Sequence, residues 1–397
     1  MHHLDFSLKI ISPAFVAGTM EKEAHLMGRS VKHRLIEHDG LRVPSLRGVL
    51  RFWFRAMEGI ADTELLWKKE SDIFGSTDSG QGLRIIPVGQ TPWTPLVIGG
   101  EKDKIRGGDP LAYLGYGPLN YVNKEVGVSS HNKSIFRDAI PEGTVFNFRA
   151  VGKREQIDTL KNCLRLLHLF GGIGSRSRRA WGSLAVGSDI FAEFNAGDSV
   201  TDWFEKVLKQ VWPNGLGEKN HLPGYSAFST HTQVRISHPL HTYLETFQEF
   251  HKQFKRTRIY DIFRPSNSPR IAFDDHELEA KDSKNRQNIS GVPLRIAFGM
   301  PYHPQSQKNR WDIEYLGYST SANGGKLDRR ASPLILKVLE GPDNRFYAVS
   351  LFLKAHFFGK SGIEIGRKEG GNTLPFPGWK AVNEFMQNKD WQSISLP

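Results

Sequence analysis

The stretch from Phe170 to Gly182 reads FGGIGSRSRRAWG. Upstream, Ile157 to Phe170 carries Leu160, Leu164, Leu167 and Leu169 at helical spacing, so a helix is expected to end at Gly171. Downstream, Trp181 to Val186 reads as a short strand. The stretch is therefore a helix-to-strand connection, and it is unusual in composition. Four glycines (171, 172, 174 and 182) bracket Arg176, Arg178 and Arg179, and no acid occurs from Thr159 to Ser188. Glycine reaches positive φ without steric cost, so such a loop can turn its N–H groups toward one point. Guanidinium forks around that point suit phosphate oxygens. A tight turn with solvated arginines reads the same residues equally well. The loop lacks GK[ST] and follows a helix, which excludes a P-loop and a dinucleotide fingerprint.

Working outward, TVFNFRAV (144–151) alternates apolar and polar residues as a strand before that helix. Leu4, Phe6, Leu8 and Ile10 alternate in the same way near the start of the chain. A polar segment containing His25, His33 and His38 follows, read as irregular with room for an added hairpin. LRVPSLRGVLRFWFRAM (41–57) is amphipathic. Leu46, Val49, Leu50, Trp53, Phe54 and Met57 form its apolar face, with Ser45 the expected N-cap. Trp53 and Phe54 are expected in the core rather than as base-stacking platforms. Arg47, Arg51 and Arg55 form a row beside that face, and with Arg42 they share the stretch with no acid. An unneutralised row of cations suits an anionic partner; a core helix with a basic outer face is the plain alternative.

Thr63 to Phe74 reads as a second helix, and LRIIPV (83–88) as a strand. Residues 99–117 read as a long glycine- and charge-rich surface insertion carrying Tyr113 and Tyr116. The order strand, helix, strand, strand, helix, strand is the β-α-β-β-α-β ferredoxin-like pattern, which RNA-recognition modules also use.

The texture changes near residue 196, where a domain boundary is expected. Helices are expected at Val200–Trp212, Leu240–Phe254 and Trp379–Met386. Strands are expected at 231–236, 292–300, 332–339 and 346–357, and a polar loop or disordered insert at 264–291. This makes a second α+β layer, a degenerate copy of the first.

Composition bounds the function. The 397 residues hold 53 Lys and Arg against 42 Asp and Glu, a net charge of +11 that favours a polyanionic partner, nucleic acid first. A single cysteine, Cys163, excludes a disulfide framework and a thiolate metal cluster. No signal-peptide pattern and no long apolar run is present, so a cytoplasmic protein is expected. HExxH and GxSxG are absent, and Asp274, Asp275 and Glu277 read as solvated acids. No catalytic residue, metal or cofactor is assigned. A general acid or base among the three histidines would need a partner within hydrogen-bond reach.

LRVPSLRGVLRFWFRAM, then IFGS (73–76), then GGIGSRSRRAWGSL (171–184) together resemble the RAMP superfamily of CRISPR-associated proteins. The Arg-Gly-x-Leu-Arg-Phe-Trp-x-Arg pattern at 47–55 and Arg330-Ala331-Ser332-Pro333 are similar to one branch, the tail-end first subunit of the type III-B (Cmr) effector complex. The resemblance implies an α+β protein of two ferredoxin-like (RRM-like) domains packed together, here 1–195 and 196–397. It implies a non-enzymatic antiviral-defence subunit whose partners are guide (CRISPR) RNA, target RNA and other Cmr subunits, with no membrane. RNA contact is then expected at Arg42, Arg47, Arg51 and Arg55, and at Gly171, Gly172, Gly174, Ser175, Arg176, Arg178 and Arg179. Lys32, His33 and Arg34 are further candidates. His33 between two cations would carry the catalysis of a rival reading, a metal-independent endoribonuclease processing guide RNA. A purely structural adaptor is the other rival. Ala180-Trp181 departs from the Gly-aromatic pair common in the family and leaves the loop stiffer.

Overall fold

A computed structural model describes the chain apart from residues 17–20, 27–28, 35–39, 79, 81, 99–108, 116–117, 119–136, 218, 220–221, 260–264, 285–287, 300–313, 320–325, 328–329, 358–362 and 369–370. The first half runs β1 (His2–Ile10), β2 (Glu21–Leu26), β3 (Arg29–Arg34), α1 (Val43–Glu58), α2 (Thr63–Phe74), β4 (Arg84–Gln90), β5 (Leu96–Ile98), α3 (Pro110–Leu114), β6 (Arg137–Ala139), β7 (Val145–Gly152), α4 (Arg154–Phe170) and β8 (Leu184–Gly187). Its main sheet has the order β4-β7-β1-β8, every neighbouring pair antiparallel. Counted as strands one to four of a β-α-β-β-α-β chain, that order is 4-1-3-2 read from β8, the ferredoxin-like arrangement. The alternation in β1 sets its face: Leu4, Phe6, Leu8 and Ile10 are all buried. The expected hairpin is present as β2–β3, in a separate sheet with β6 and β5.

The second half runs α5 (Val200–Val211), β9 (Gln233–Ile236), α6 (Tyr243–Thr257), α7 (Arg270–Lys284), β10 (Tyr315–Ser319), β11 (Lys326–Leu327), β12 (Leu334–Glu340), β13 (Phe346–Phe352), β14 (Ile363–Arg367), β15 (Thr373–Leu374), α8 (Lys380–Met386) and β16 (Gln392–Ser393). Its sheet β12-β13-β9-β16 is again antiparallel throughout, with β9, β12, β13 and β16 as strands one to four. The arrangement is 4-1-3-2 a second time, with α6 and α8 as the two helices.

The layers interleave. Ile335 and Leu339 of β12 pack into the cluster that holds α1, α4 and α5, while Leu334, Leu336 and Val338 pack with α6 and α8. The second sheet is therefore buried on both faces, which is why LILKVL is a near-continuous apolar run. Trp53 (2% exposed) and Phe54 (3%) lie in the core as expected, with Trp53 stacked 6.1 Å from Phe170. Burying a side chain of this size contributes about 1.5–3 kcal/mol.

Four expectations are corrected. Helix α1 begins three residues early: Arg42 is its N-cap and Pro44 occupies the first turn, where its missing N–H costs nothing. Residues 264–291 are not a loop, because Arg270–Lys284 forms α7. Asp275 is not solvated: it is 3% exposed and pairs with Arg295 at 3.0 Å. Residues 292–300 do not form a strand. Leu294–Phe298 is a short 3-10 helix, its first N–H groups at Leu294 and Arg295 donating to the Asp275 carboxylate at 2.7 and 2.8 Å. In the 99–117 insertion, α3 docks on α6, with Tyr113 5.4 Å from Phe254; Tyr116 and residues 99–108 lie outside the described residues.

Candidate nucleic-acid interface

At the start of α1, Val43, Pro44, Arg47, Gly48 and Arg51 line an open depression of about 500 Å³. The positive end of the α1 dipole lies here, and the first turn holds no acid. Arg47 Nη2 donates to the Leu83 carbonyl at 3.2 Å, and Arg51 Nη2 donates to the Gly75 carbonyl. Both Nε–H groups are buried; Arg47 Nε has no hydrogen-bond acceptor among the described residues, and Arg51 Nε lies 3.6 Å from the Glu70 carboxylate. Gly48 keeps the entrance clear, since a Cβ there would meet nothing within 4 Å.

The arginine row is not unneutralised, contrary to its local sequence. Glu70 of α2, 6% exposed, accepts from Arg55 Nη1 at 2.9 Å and sits 3.6 Å from Arg51 Nε. The neutralising acid comes from the next helix, which an inspection of 41–57 alone does not reveal. Arg42 is half-buried at the N-cap. Lys32 and His33 sit on β3, and Arg34 pairs across to Arg137 of β6; these three lie in a different sheet from the arginine helix and are not brought to it by the topology. His38 lies outside the described residues.

The glycine loop is laced between the halves. Ile173 N–H donates to Gly182 at 2.8 Å, Ser175 N–H to Phe15 at 2.9 Å, and Gly182 N–H to Pro13 at 3.0 Å. From the other side, Ala180 N–H donates to Leu336 at 3.0 Å and Leu336 N–H to Arg178 at 3.1 Å, so the loop extends the second sheet beside β12. Gly174 has φ 79° and Gly182 φ 65°. Gly172 keeps a negative φ, but a Cβ there would lie 2.8 Å from the Gly182 carbonyl, and one at Gly171 would lie 2.4 Å from Leu167 Cδ1. Arg176 and Ala180 take φ of 65° and 70°, conformations that residues with a Cβ resist. Ala180 thus occupies a position suited to glycine.

The three loop arginines diverge. Arg176 is exposed. Arg179 turns into the second half, 5.2 Å over the Phe254 ring, and burial pushes it down to about 9. Arg178 packs 5.0 Å over Phe52 of α1 and donates to the Ser332 carbonyl; burial pushes it to about 10. The structure therefore joins Arg178 to the arginine helix and directs Arg179 away from it.

Lys337 was missed at the sequence level. It is 1% exposed, donates to Gly171 at 2.7 Å and to Leu184, and burial pushes its pKa well down. The available signal was a lone charge inside an apolar strand. Among the described residues no cluster of three or more His, Cys, Asp or Glu side chains could hold a metal, and no helix is long and apolar enough to cross a membrane.

Residues 8–185 match the RAMP superfamily. The matching segment contains both the arginine helix and the glycine loop. A curated relative, the CRISPR system Cmr subunit Cmr1-1 of Pyrococcus furiosus, is 28% identical over 244 residues, covering 56% of this chain and 68% of that protein. The crystal structure of Cmr1 from Pyrococcus furiosus in its apo form is similar over 99% of both chains, at a TM-score of 0.51 and 20% identity.

Proposed function

We propose that this chain is a non-catalytic, cytoplasmic RNA-binding subunit of a type III-B CRISPR effector complex, built of two domains, 1–195 and 196–397. Its partners are guide RNA, target RNA and the other Cmr subunits. The similarity to Cmr1-1 supports the assignment to such a complex. The observation that carries RNA binding is the α1 depression, an open surface lined by Arg47 and Arg51 beside a helix N-terminus whose first turn holds no acid. That arrangement takes a phosphate oxygen and reads no base, so affinity should depend on salt and little on sequence. Of the expected contacts, Arg42, Arg47, Arg51 and Arg176 fit this role most directly. Glu70 holds Arg55 at 2.9 Å and lies farther, 3.6 Å, from Arg51.

The test is filter binding of the full chain to two unrelated single-stranded RNAs over a range of salt. Salt-dependent binding of both, with no cleavage in EDTA or with divalent metal, is expected. Specific cleavage lost in His33→Ala would establish the endoribonuclease instead, and absence of RNA binding would leave the adaptor.

A further inference from the structure

Two guanidinium groups from opposite halves converge on one corner of the fold. Arg178, in the glycine loop, donates from Nη1 to the Ser332 carbonyl. Arg330 donates from Nη1 to the Ala331 carbonyl at 2.8 Å and from Nε to Phe357. It lies 4.6 Å over the Phe357 ring and 5.3 Å over Trp379. The Ala331 and Ser332 carbonyls are consecutive in the chain, and the two positive heads lie near enough to repel each other. Burial pushes Arg330 to about 10, and repulsion from Arg178 adds to the effect.

The partners of both heads are carbonyl oxygens and aromatic rings; no carboxylate among the described residues pairs with either. A carbonyl or a ring face orients a guanidinium but leaves its full charge. Each head also keeps donors that these bonds do not use, since a guanidinium offers five N–H groups. Phe52, under Arg178, is one helical turn beyond Gly48, which lines the α1 depression. The corner therefore lies about one helical turn along α1 from the depression.

We propose that Arg178 and Arg330 together bind one RNA phosphate, so that a single anion bridges the two halves. The proposal rests on the RNA-binding reading and adds a contact from the second half. The fold holds two like charges close together, where they repel. A phosphate neutralises both and accepts from two planar forks at once. Because the anion touches both halves, RNA binding and their cohesion are linked, and bound RNA stabilises the folded chain.

The experiment measures affinity of the full chain for a short single-stranded RNA at several salt concentrations, together with the Tm without RNA. Arg330→Gln is expected to weaken binding roughly tenfold, as for loss of a charged hydrogen bond. It should flatten the slope of log K against log salt by about 0.7, one phosphate on a single strand. Its RNA-free Tm should hold or rise, because the repulsion is relieved. Arg330→Lys, which keeps the charge and loses the fork, should keep the slope with weaker affinity. An unchanged slope in Arg330→Gln with a lowered Tm would overturn the proposal and leave Arg330 a packing group on Phe357 and Trp379. If Arg330→Gln does not fold, Arg178→Gln reads the same flattening from the other side, and its slope decides. Absence of RNA binding by the wild-type chain would overturn the RNA-binding reading itself, and binding without salt dependence would overturn the phosphate contact.

Discussion

The side-chain nitrogen of Lys337 lies 2.7 Å from the carbonyl oxygen of Gly171, and the two residues belong to opposite halves of the chain. Gly171 ends α4, where helix carbonyls lack intrahelical partners, so a buried N–H donor from β12 satisfies an oxygen that would otherwise be orphaned. Lys337→Met should therefore destabilise the whole chain. It strands the carbonyls of Gly171 and Leu184, each at about 1–3 kcal/mol. Urea unfolding checks this; an unchanged midpoint would mean that the apolar side chain repacks without loss.

Arg47 and Glu70 separate binding from stability on the same helix pair. Arg47→Ala should flatten the salt slope of RNA binding by about 0.7 and leave the Tm nearly unchanged. Glu70→Gln should lower the Tm, because Arg51 and Arg55 lose a buried partner. It should also strengthen RNA binding at low salt, since two cations are released. If Arg47→Ala costs several degrees with no change in slope, that arginine is structural.

Arg179 provides a contrast within the glycine loop. Stacked on Phe254 and aimed into the second half, it should act through packing. We expect Arg179→Met to lower the Tm while the salt slope of RNA binding stays at the wild-type value. A flattened slope would return Arg179 to the phosphate contacts.

Gly182 should tolerate no side chain. Its φ is 65°, and a Cβ would lie 2.0 Å from the Ile173 carbonyl, so Gly182→Ala must break the Ile173–Gly182 hydrogen bond that closes the loop. Reduced soluble yield and a lower Tm than for Gly48→Ala, where a Cβ meets open space, are the expected readings.

Two buried histidines make the fold acid-sensitive. Burial pushes His168 down to about 3 and His251 to about 4, from an ordinary value of 6.5. Because the folded values lie below the unfolded one, the unfolded chain binds more protons between them. Stability is then full above about pH 6.5 and falls as pH drops through that window, by up to about 1.4 kcal/mol per unit for each histidine. His168→Asn keeps an acceptor near the position of Nδ1, which receives the Val186 N–H at 3.0 Å. It should flatten the Tm-against-pH curve, and a curve of unchanged steepness would assign the acid loss elsewhere.

The first ferredoxin-like sheet was legible because β1 and β7 each have one buried face, and strict alternation records it. The second half was only partly legible because its burial is polar. After Ile271 and Ala272, the inward positions of α7 are filled by Asp275, Glu279 and Asp282, held by Arg295, Ser290 and Tyr315, so hydropathy marked a buried helix as a loop. The same acids made LRIAF a capped 3-10 turn where its apolar run suggested a strand. For the candidate site, the arginine helix and glycine loop were found by composition. What composition could not give is direction. Glu70 reaches the arginines from α2, and the adjacent Arg178 and Arg179 pack on rings in different halves, Phe52 and Phe254.

The loop's hydrogen bonds to Leu336 set an order of events during synthesis. The first sheet has all its strands once β8 leaves the ribosome, whereas Arg178 and Ala180 gain their backbone partners only when β12 emerges. Pairings so distant in sequence form late and slowly, because the intervening chain must first be confined. The N-terminal sheet can therefore form on the nascent chain while its arginine loop stays unset, and the shape of the loop is fixed only by completion of the second half.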